Sequence, residues 1–322
     1  MKKILIPLIL LALVLSISKI TYNGWFWGIN RLEGLSSIWK PPLPLQTIRI
    51  NQKAYKSYEL PIKSEAAVVL DANRGEILFE KNMEEKLPIA SITKLMTSLV
   101  FVETNPNLND TTTITPADAE GAGWSQLKIK ETFTLYDLLH ASLMSSNNRA
   151  TRTLARSCGL TADEFIMRMN QKAQKIGLMN TIFFEPTGLD TNNRSTALDC
   201  ARLLYFAQKE SLIASIMGKT TYQFNSLGKR RRMHQIRSTN KLLFTSWTPR
   251  AAGNVRCGKT GYNGASGFCL STLVEGRDGE EIIAVVLGAP SSGTRFKEIK
   301  SIVEWATRED KSEISPQLDD GS

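Results

Sequence analysis

Strand-like and helix-like segments are unevenly spread along this chain, and that distribution constrains its fold more than any other feature. Short strand-like runs come early, at Ala66 to Asp71 and Glu76 to Lys81, joined by the hairpin signal Ala72-Asn73-Arg74-Gly75. They return late, at Val255 to Tyr262, Phe268 to Val274 and Ile282 to Leu287, the last two separated by Glu275-Gly-Arg-Asp-Gly279. Between them the sequence reads as helix. One pattern opens near Ser91 and runs to about Glu103, with Leu95, Leu99 and Val102 on one face. Thr134-Leu-Tyr-Asp137 and Thr161-Ala-Asp-Glu164 read as capping boxes, and Thr115-Pro116 places proline at a first helical position. Gly177 can end the helix that begins near Ala162. Further helices are expected over Ala197 to Gln208 and, amphipathic, over Phe296 to Thr307. Strands at both ends with helices between predict an α+β fold: one mainly antiparallel sheet built from both chain ends. The inserted helical segment forms a second lobe, with a cleft where the lobes meet.

The residues before the first strand read as an address. Lys2-Lys3 precedes Ile4 to Ile17, apolar except for Pro7 and Ser16, which is the pattern of a secretory signal. A membrane span takes about 20 residues, and this run is shorter. Cleavage after Ser18 is one expectation. An uncleaved anchor, with Trp25-Phe26-Trp27 at a membrane interface, is the other. Lys40-Pro41-Pro42-Leu43-Pro44 marks an extended linker over residues 19–63, and residues 309–322 form a polar tail.

Composition narrows the partners. At 42% hydrophobic and 22% charged residues, the 322-residue chain is neither disordered nor polytopic in a membrane. Its net charge of +9 includes the run Lys229-Arg230-Arg231-Arg232, continuing to Arg237. That run reads as a surface for an anion or as a solvated loop; no nucleic-acid motif accompanies it, so nucleic acid is excluded. Four cysteines in an exported chain permit disulfides and fit no zinc spacing. Cys257 and Cys269 fall on neighbouring expected strands, so a cross-strand bridge is one expectation and four buried thiols the alternative.

Three short motifs carry chemistry. In Ser91-Ile-Thr-Lys94, a three-residue separation at the start of a helix puts hydroxyl and amine on one face. A neutral lysine can take the serine proton, and lysine is neutral near pH 7 when burial or a neighbouring cation lowers its pKa. In Ser146-Asn147-Asn148 a hydroxyl and an amide can relay a proton and hold a substrate amide. In Lys259-Thr260-Gly261, on a late strand, the lysine and hydroxyl can hold a carboxylate while glycine lets a substrate backbone approach. Each alone is weak; their order together is specific. His140 and His234 are the only histidines and lie in no metal-binding pattern, which disfavours both a zinc peptidase and a Ser-His-Asp triad. No metal or other cofactor is expected.

The set resembles the S-x-x-K, S-x-N and K-T-G motifs of penicillin-binding proteins and serine β-lactamases. Flanking segments sharpen the resemblance to the D-alanyl-D-alanine carboxypeptidase family. These are Asp71 to Lys81, Pro88 to Thr97, Asn180 to Leu189, Ser195 to Asp199 and Asn240 to Leu243. The resemblance covers residues 64–308, the implied catalytic domain with a β-lactamase/transpeptidase-like fold. It implies a nucleophilic Ser91, Lys94 as the acylation base, and Ser146 with Lys259 protonating the leaving amine. Asn148 would position the acyl chain, Thr260 and Lys259 would hold the substrate carboxylate, and Gly261 completes the third motif. The oxyanion hole would use the backbone N–H groups of Ser91 and Tyr262, and Arg295 would assist near the carboxylate pocket. The implied partners are peptidoglycan stem peptides and cross-links, with β-lactams as acylating inhibitors. The implied location is the periplasm or the outer face of the cytoplasmic membrane, with membrane contact only through an N-terminal anchor.

One departure separates two branches. Many carboxypeptidases follow the motif asparagine with Asp-Ala, whereas Asn148 precedes Arg149-Ala150. Met144 to Ala150 resembles the endopeptidase branch, which cuts D-alanyl cross-links. The short stretch after the last helix, with no room for an added β-rich domain, points the same way. The alternatives are a carboxypeptidase, a serine β-lactamase using Glu185 to activate water, and a non-catalytic penicillin-binding wall protein.

Overall fold

The structure is a computed structural model that describes residues 49–50, 60–229, 231–247, 252–276 and 279–307. Residues 1–18, the Trp- and Pro-containing segments of the linker, Arg230 and the tail 309–322 lie outside the described residues. In chain order the elements begin with β1 (Arg49–Ile50), β2 (Ala66–Asp71), β3 (Glu76–Lys81) and β4 (Leu87–Pro88). A 3-10 turn, Ala90–Ile92, leads into α1 (Thr93–Glu103), β5 (Thr111–Thr113), α2 (Pro116–Ala119) and β6 (Thr132–Thr134). Helices α3 (Leu135–Met144), α4 (Asn148–Arg156) and α5 (Ala162–Lys175) follow, then β7 (Arg194–Ser195), α6 (Ala197–Lys209) and α7 (Ser211–Met217). The chain continues through β8 (Thr221–Asn225), β9 (Met233–Arg237), a 3-10 turn at Lys241–Phe244, β10 (Ala252–Asn263), β11 (Gly267–Gly276), β12 (Glu281–Ala289) and α8 (Ser292–Ala306).

The main sheet runs β1-β3-β2-β12-β11-β10, and only the β1–β3 pair is parallel. Its centre is the pairing of β2 with β12, from Ala66 opposite Leu287 to Asp71 opposite Ile282. The two chain ends are thus zipped together, as the strand distribution predicts. All six residues of β2 are buried, because layers cover both faces of the sheet. On one face Val69, Leu270 and Val286 pack with Ile299, Ile302 and Val303 of α8. Each such side chain stabilises the fold by roughly 1.5–3 kcal/mol. Helix α6 packs against the other face, with the helical lobe beyond it.

Several local expectations change. Helix α1 buries every residue from Thr93 to Phe101, so no single apolar face distinguishes it. It runs through the interior between α3, α4, α5 and α6. The Thr161 capping box forms in full. The Thr134 box is half-formed: Thr134 Oγ1 accepts from Asp137 N–H at 3.0 Å, while the Asp137 carboxylate accepts from the Tyr222 hydroxyl at 2.7 Å. Helix α8 starts earlier than its apolar pattern suggests, because Ser291 Oγ accepts from Thr294 N–H at 3.0 Å.

The cross-strand disulfide does not exist. Cys257 lies opposite Leu273, and Cys269 lies opposite Gly261. That register separates the cysteines by about 13 Å along the ladder, beyond the ~7 Å that a bridge spans. All four thiols are free; Cys200, Cys257 and Cys269 are buried and Cys158 is half-buried. The basic run lies in the connection between β8 and β9, where Lys229, Arg231 and Arg232 are exposed.

Candidate active site

Ser91 sits in the 3-10 turn that leads into α1, behind a strained residue. Ala90 has φ +44°, a left-handed conformation that costs a side-chain-bearing residue on the order of 1 kcal/mol. Three neighbours impose it. A Cβ at Gly188, itself at φ +84°, would fall 1.8 Å from the Ala90 carbonyl oxygen. A Cβ at Gly261 would fall 2.7 Å from Ile89 O and 3.2 Å from Ala90 Cβ. Ile89 N–H donates to Asn193 O at 3.2 Å. Glycine at 261 thus also has a structural reason: it admits the nucleophile turn against β10.

Lys94, one helical turn along, is fully buried, and its Nζ has three partners. These are Ser91 Oγ at 2.8 Å, Asn148 Oδ1 at 2.7 Å and Thr187 O at 2.6 Å. Burial lowers its pKa from 10.5 to about 7; the nearby Glu185 charge partly opposes this and Arg152 adds to it. With those partners, the direction of the Ser91 contact follows the protonation state of Lys94. Thr187 O can only accept. Asn148 Nδ2 donates to Ala122 O at 3.0 Å, so the Oδ1 facing Lys94 must accept as well. A neutral amine has two N–H groups, and those two acceptors use both. In that neutral form the lone pair faces Ser91 Oγ, which then donates, whereas the ammonium form donates to all three oxygens. The geometry is that of a general base poised on a hydroxyl.

The second motif is a tight corner. Helix α3 ends at Met144, Ser146 adopts φ +59°, and Asn147 caps α4 by accepting from Ala150 N–H at 3.1 Å. The corner projects the Ser146 hydroxyl towards β10, where Lys259 Nζ donates to it at 2.8 Å and to Thr260 O at 3.0 Å. Lys259 is buried and held well below the usual ammonium pKa, first by desolvation and then by the charges of Lys94 and Arg295. The Thr260 hydroxyl shares a 2.6 Å hydrogen bond with the Thr239 hydroxyl. Ser91, Lys94 and Asn148 form one bonded group and Ser146 and Lys259 a second. Tyr262, on the strand that meets the nucleophile turn, is exposed with its ring stacked on Phe268 at 4.2 Å.

Arg295 packs against the third motif. It is buried, donates through Nη1 to Gly261 O at 3.0 Å and Cys269 O at 3.3 Å, and lies over the Phe268 and Phe296 rings. It braces β10 and β11 behind the third motif, close enough for its charge to act on Lys259. Glu185 is also committed. Its carboxylate accepts from the N–H groups of Thr187 at 2.8 Å and Leu189 at 2.9 Å, the Thr187 hydroxyl at 2.5 Å, Asn193 Nδ2 at 3.1 Å and Gly188 N–H. These bonds fold the loop onto the nucleophile turn. The histidines are occupied elsewhere: His140 Nδ1 meets Tyr136 O at 2.9 Å and its Nε2 meets Lys219 Nζ at 2.9 Å, while His234 stacks on Phe224.

Asn193 escaped sequence reasoning. It is fully buried; its Oδ1 accepts from Phe184 N–H at 2.7 Å, and its Nδ2 donates to Glu185 O at 2.8 Å and Thr93 Oγ1 at 3.3 Å. It therefore ties the 184–189 loop to the start of α1. Its place between two recognisable segments, Asn180 to Leu189 and Ser195 to Asp199, was the available signal. Beside the second motif lies a polar cleft of about 220 Å³, bounded by Trp124, Ser146, Asn148, Gln235 and Arg237. A larger apolar cavity of about 360 Å³ between α4, α5 and Pro186 contains no motif residue.

A family model described as D-alanyl-D-alanine carboxypeptidase matches residues 51–291. A D-alanyl-D-alanine endopeptidase of Pseudomonas aeruginosa is 33% identical, over 76% of this chain and 79% of its own. A second, of Escherichia coli, is 29% identical over 82% of this chain and 84% of its own. A D-alanyl-D-alanine carboxypeptidase of Bacillus subtilis is 29% identical over 79% of this chain and 65% of its own. Among solved structures, a Streptomyces DD-transpeptidase superposes with a TM-score of 0.71 at 25% identity, covering 77% of this chain and 98% of that one.

Proposed function

The chain belongs to the D-alanyl-D-alanine carboxypeptidase family of serine peptidases, and from that membership we propose how its residues divide the work of cutting a D-alanyl bond. It is a penicillin-sensitive DD-peptidase acting on peptidoglycan, outside the cytoplasm. Ser91 Oγ attacks the D-alanyl carbonyl while Lys94 takes its proton. The backbone N–H groups of Ser91 and Tyr262 receive the oxyanion. As the C–N bond breaks, Ser146 gives its proton to the departing nitrogen and recovers one from Lys259. Lys259 and Thr260 hold the carboxylate beside that nitrogen, and Asn148 holds the acyl chain. Water then hydrolyses the ester on Ser91. β-Lactams acylate the same oxygen.

The observation that carries this reading is the saturation of Lys94. Once Lys94 is neutral, Thr187 O and Asn148 Oδ1 accept both its N–H groups, and its lone pair has one target, 2.8 Å away. The commitment of Glu185 to its own loop disfavours a β-lactamase that would use it to activate water.

The preferred bond is a cross-link between stem peptides, making the protein an endopeptidase. Asn148-Arg149 supports this, as do the endopeptidase names of two relatives above. Arg149 Nη1 donates to Leu127 O at 2.8 Å, fastening the loop that borders the cleft. A location in the periplasm or on the outer face of the cytoplasmic membrane, with residues 1–18 as signal or anchor, suits that substrate. Among the described residues no helix is long and apolar enough to cross a membrane. Incubation with purified cross-linked muropeptides and with uncross-linked pentapeptides tests the preference. Loss of dimers without D-alanine release from monomers is expected; the reverse outcome makes it a carboxypeptidase.

A further inference from the structure

The polar cleft beside Ser146 has a direction. Ser146 and Lys259 mark where the amine departs, and Thr260 meets Thr239 through a 2.6 Å hydroxyl contact. Arg237 lies two residues before Thr239, at the end of β9, where Gln235 and Arg237 share the exposed face and Ile236 points inward. A group extending beyond the departing nitrogen would therefore pass the Thr239–Thr260 pair and meet Arg237 and Gln235. A departing D-alanine ends at its carboxylate and leaves these residues untouched.

The walls of the cleft suit a peptide that carries carboxylates. The Arg237 guanidinium is held over the Phe244 ring at 4.8 Å, and no carboxylate of the described residues pairs with it. Facing it across the cleft rim is Trp124, 88% exposed, a large apolar surface without a partner inside the fold. Its loop is tied immediately afterwards: Asn147 Nδ2 donates to Ser125 Oγ at 2.8 Å. The indole is thereby kept beside the second motif, although nothing in the core requires it there.

We infer that Trp124, Gln235 and Arg237 form a leaving-strand subsite that receives the second stem peptide of a cross-link. Arg237 pairs with one of its carboxylates, the Gln235 amide bonds its backbone, and Trp124 covers its aliphatic portion. This rests on the endopeptidase reading and names the determinant behind it.

Two measurements test it. In the first, kcat/KM is compared for a cross-linked dimer and an uncross-linked pentapeptide in Trp124→Ala and Arg237→Gln, with penicillin acylation monitoring the integrity of the site. The dimer-to-pentapeptide ratio is expected to fall about tenfold in each variant. A ratio within about twofold of the parent's overturns the subsite. In the second, calorimetry follows binding of a tetrapeptide monomer, which bears the amine a cut cross-link releases, to Ser91→Ala protein with and without Arg237→Gln. Weakening of about tenfold supports the subsite whichever bond the wild-type enzyme prefers; unchanged binding overturns it. Failure of the endopeptidase reading alone appears as a wild-type enzyme that spares dimers while this binding difference persists.

Discussion

At Gly188 an added Cβ would fall 1.8 Å from the Ala90 carbonyl oxygen, whereas at Gly121 and Gly123, flanking Trp124's loop, it would meet nothing within 4 Å. All three glycines have positive φ. The nucleophile turn is over-determined, gripped by β10, the 184–189 loop and Asn193, and it can therefore sustain the strained Ala90. The rim around Trp124 is open at its glycines and tied to the second motif by side-chain hydrogen bonds from Asn147, Asn148 and Arg149. Bond-making demands that Ser91 and Lys94 hold one geometry to within a fraction of an ångström. Choosing a partner strand demands only that charge and apolar surface face the right way. The difference in packing separates chemistry from substrate choice.

The contrast can be attacked first at Lys94. Lys94→Met should slow penicillin acylation by about 10³- to 10⁴-fold, measured by stopped-flow or mass spectrometry. Stability should not follow. The unfolded chain holds the Lys94 proton up to 10.5, but the folded protein holds it only up to about 7. Folding is therefore penalised below about pH 7, and the penalty fades as pH rises towards 10.5. Removing the amine should leave the Tm at pH 7 equal or higher.

Next comes Gly188→Ala, expected to cost about 4 kcal/mol in urea unfolding, since strain at positive φ adds to a backbone clash. Asn193→Ala should cost about 3 kcal/mol, because the Phe184 N–H and neighbouring groups lose their buried partner. It should also slow acylation, by loosening the turn. The smallest effect is expected at the rim, where Gly123→Ala should cost about 1 kcal/mol and leave acylation within twofold. A Gly123→Ala protein as damaged as Gly188→Ala would break the comparison.

The chain's sequence made the frame of this molecule readable and left its joints hidden. Strand runs such as Ala66 to Asp71 and Ile282 to Leu287 announce themselves because central strands bury both faces. The motif residues were legible because their chemistry is local, as in the Ser91–Lys94 spacing. Asn193, Thr239 and the closeness of Gly261 to the nucleophile turn were not. Their partners lie far away in sequence, as with Asn193 and Thr93, and no spacing rule connects them. The bonds of Arg295 were hidden for a related reason: the Gly261 and Cys269 carbonyls that hold it belong to other elements far away in sequence. The cysteine pair failed on register, which pattern reading leaves open.

The central claim is that a neutral Lys94 activates Ser91. The most direct test is the pH dependence of the second-order rate constant for acylation of Ser91 by a penicillin, with the labelled residue located by peptide mass mapping. The rate should climb about tenfold per pH unit at low pH and level off above about 7, where Lys94 has lost its proton. A profile that is flat from about pH 5 to 9, or label on a residue other than Ser91, would contradict it.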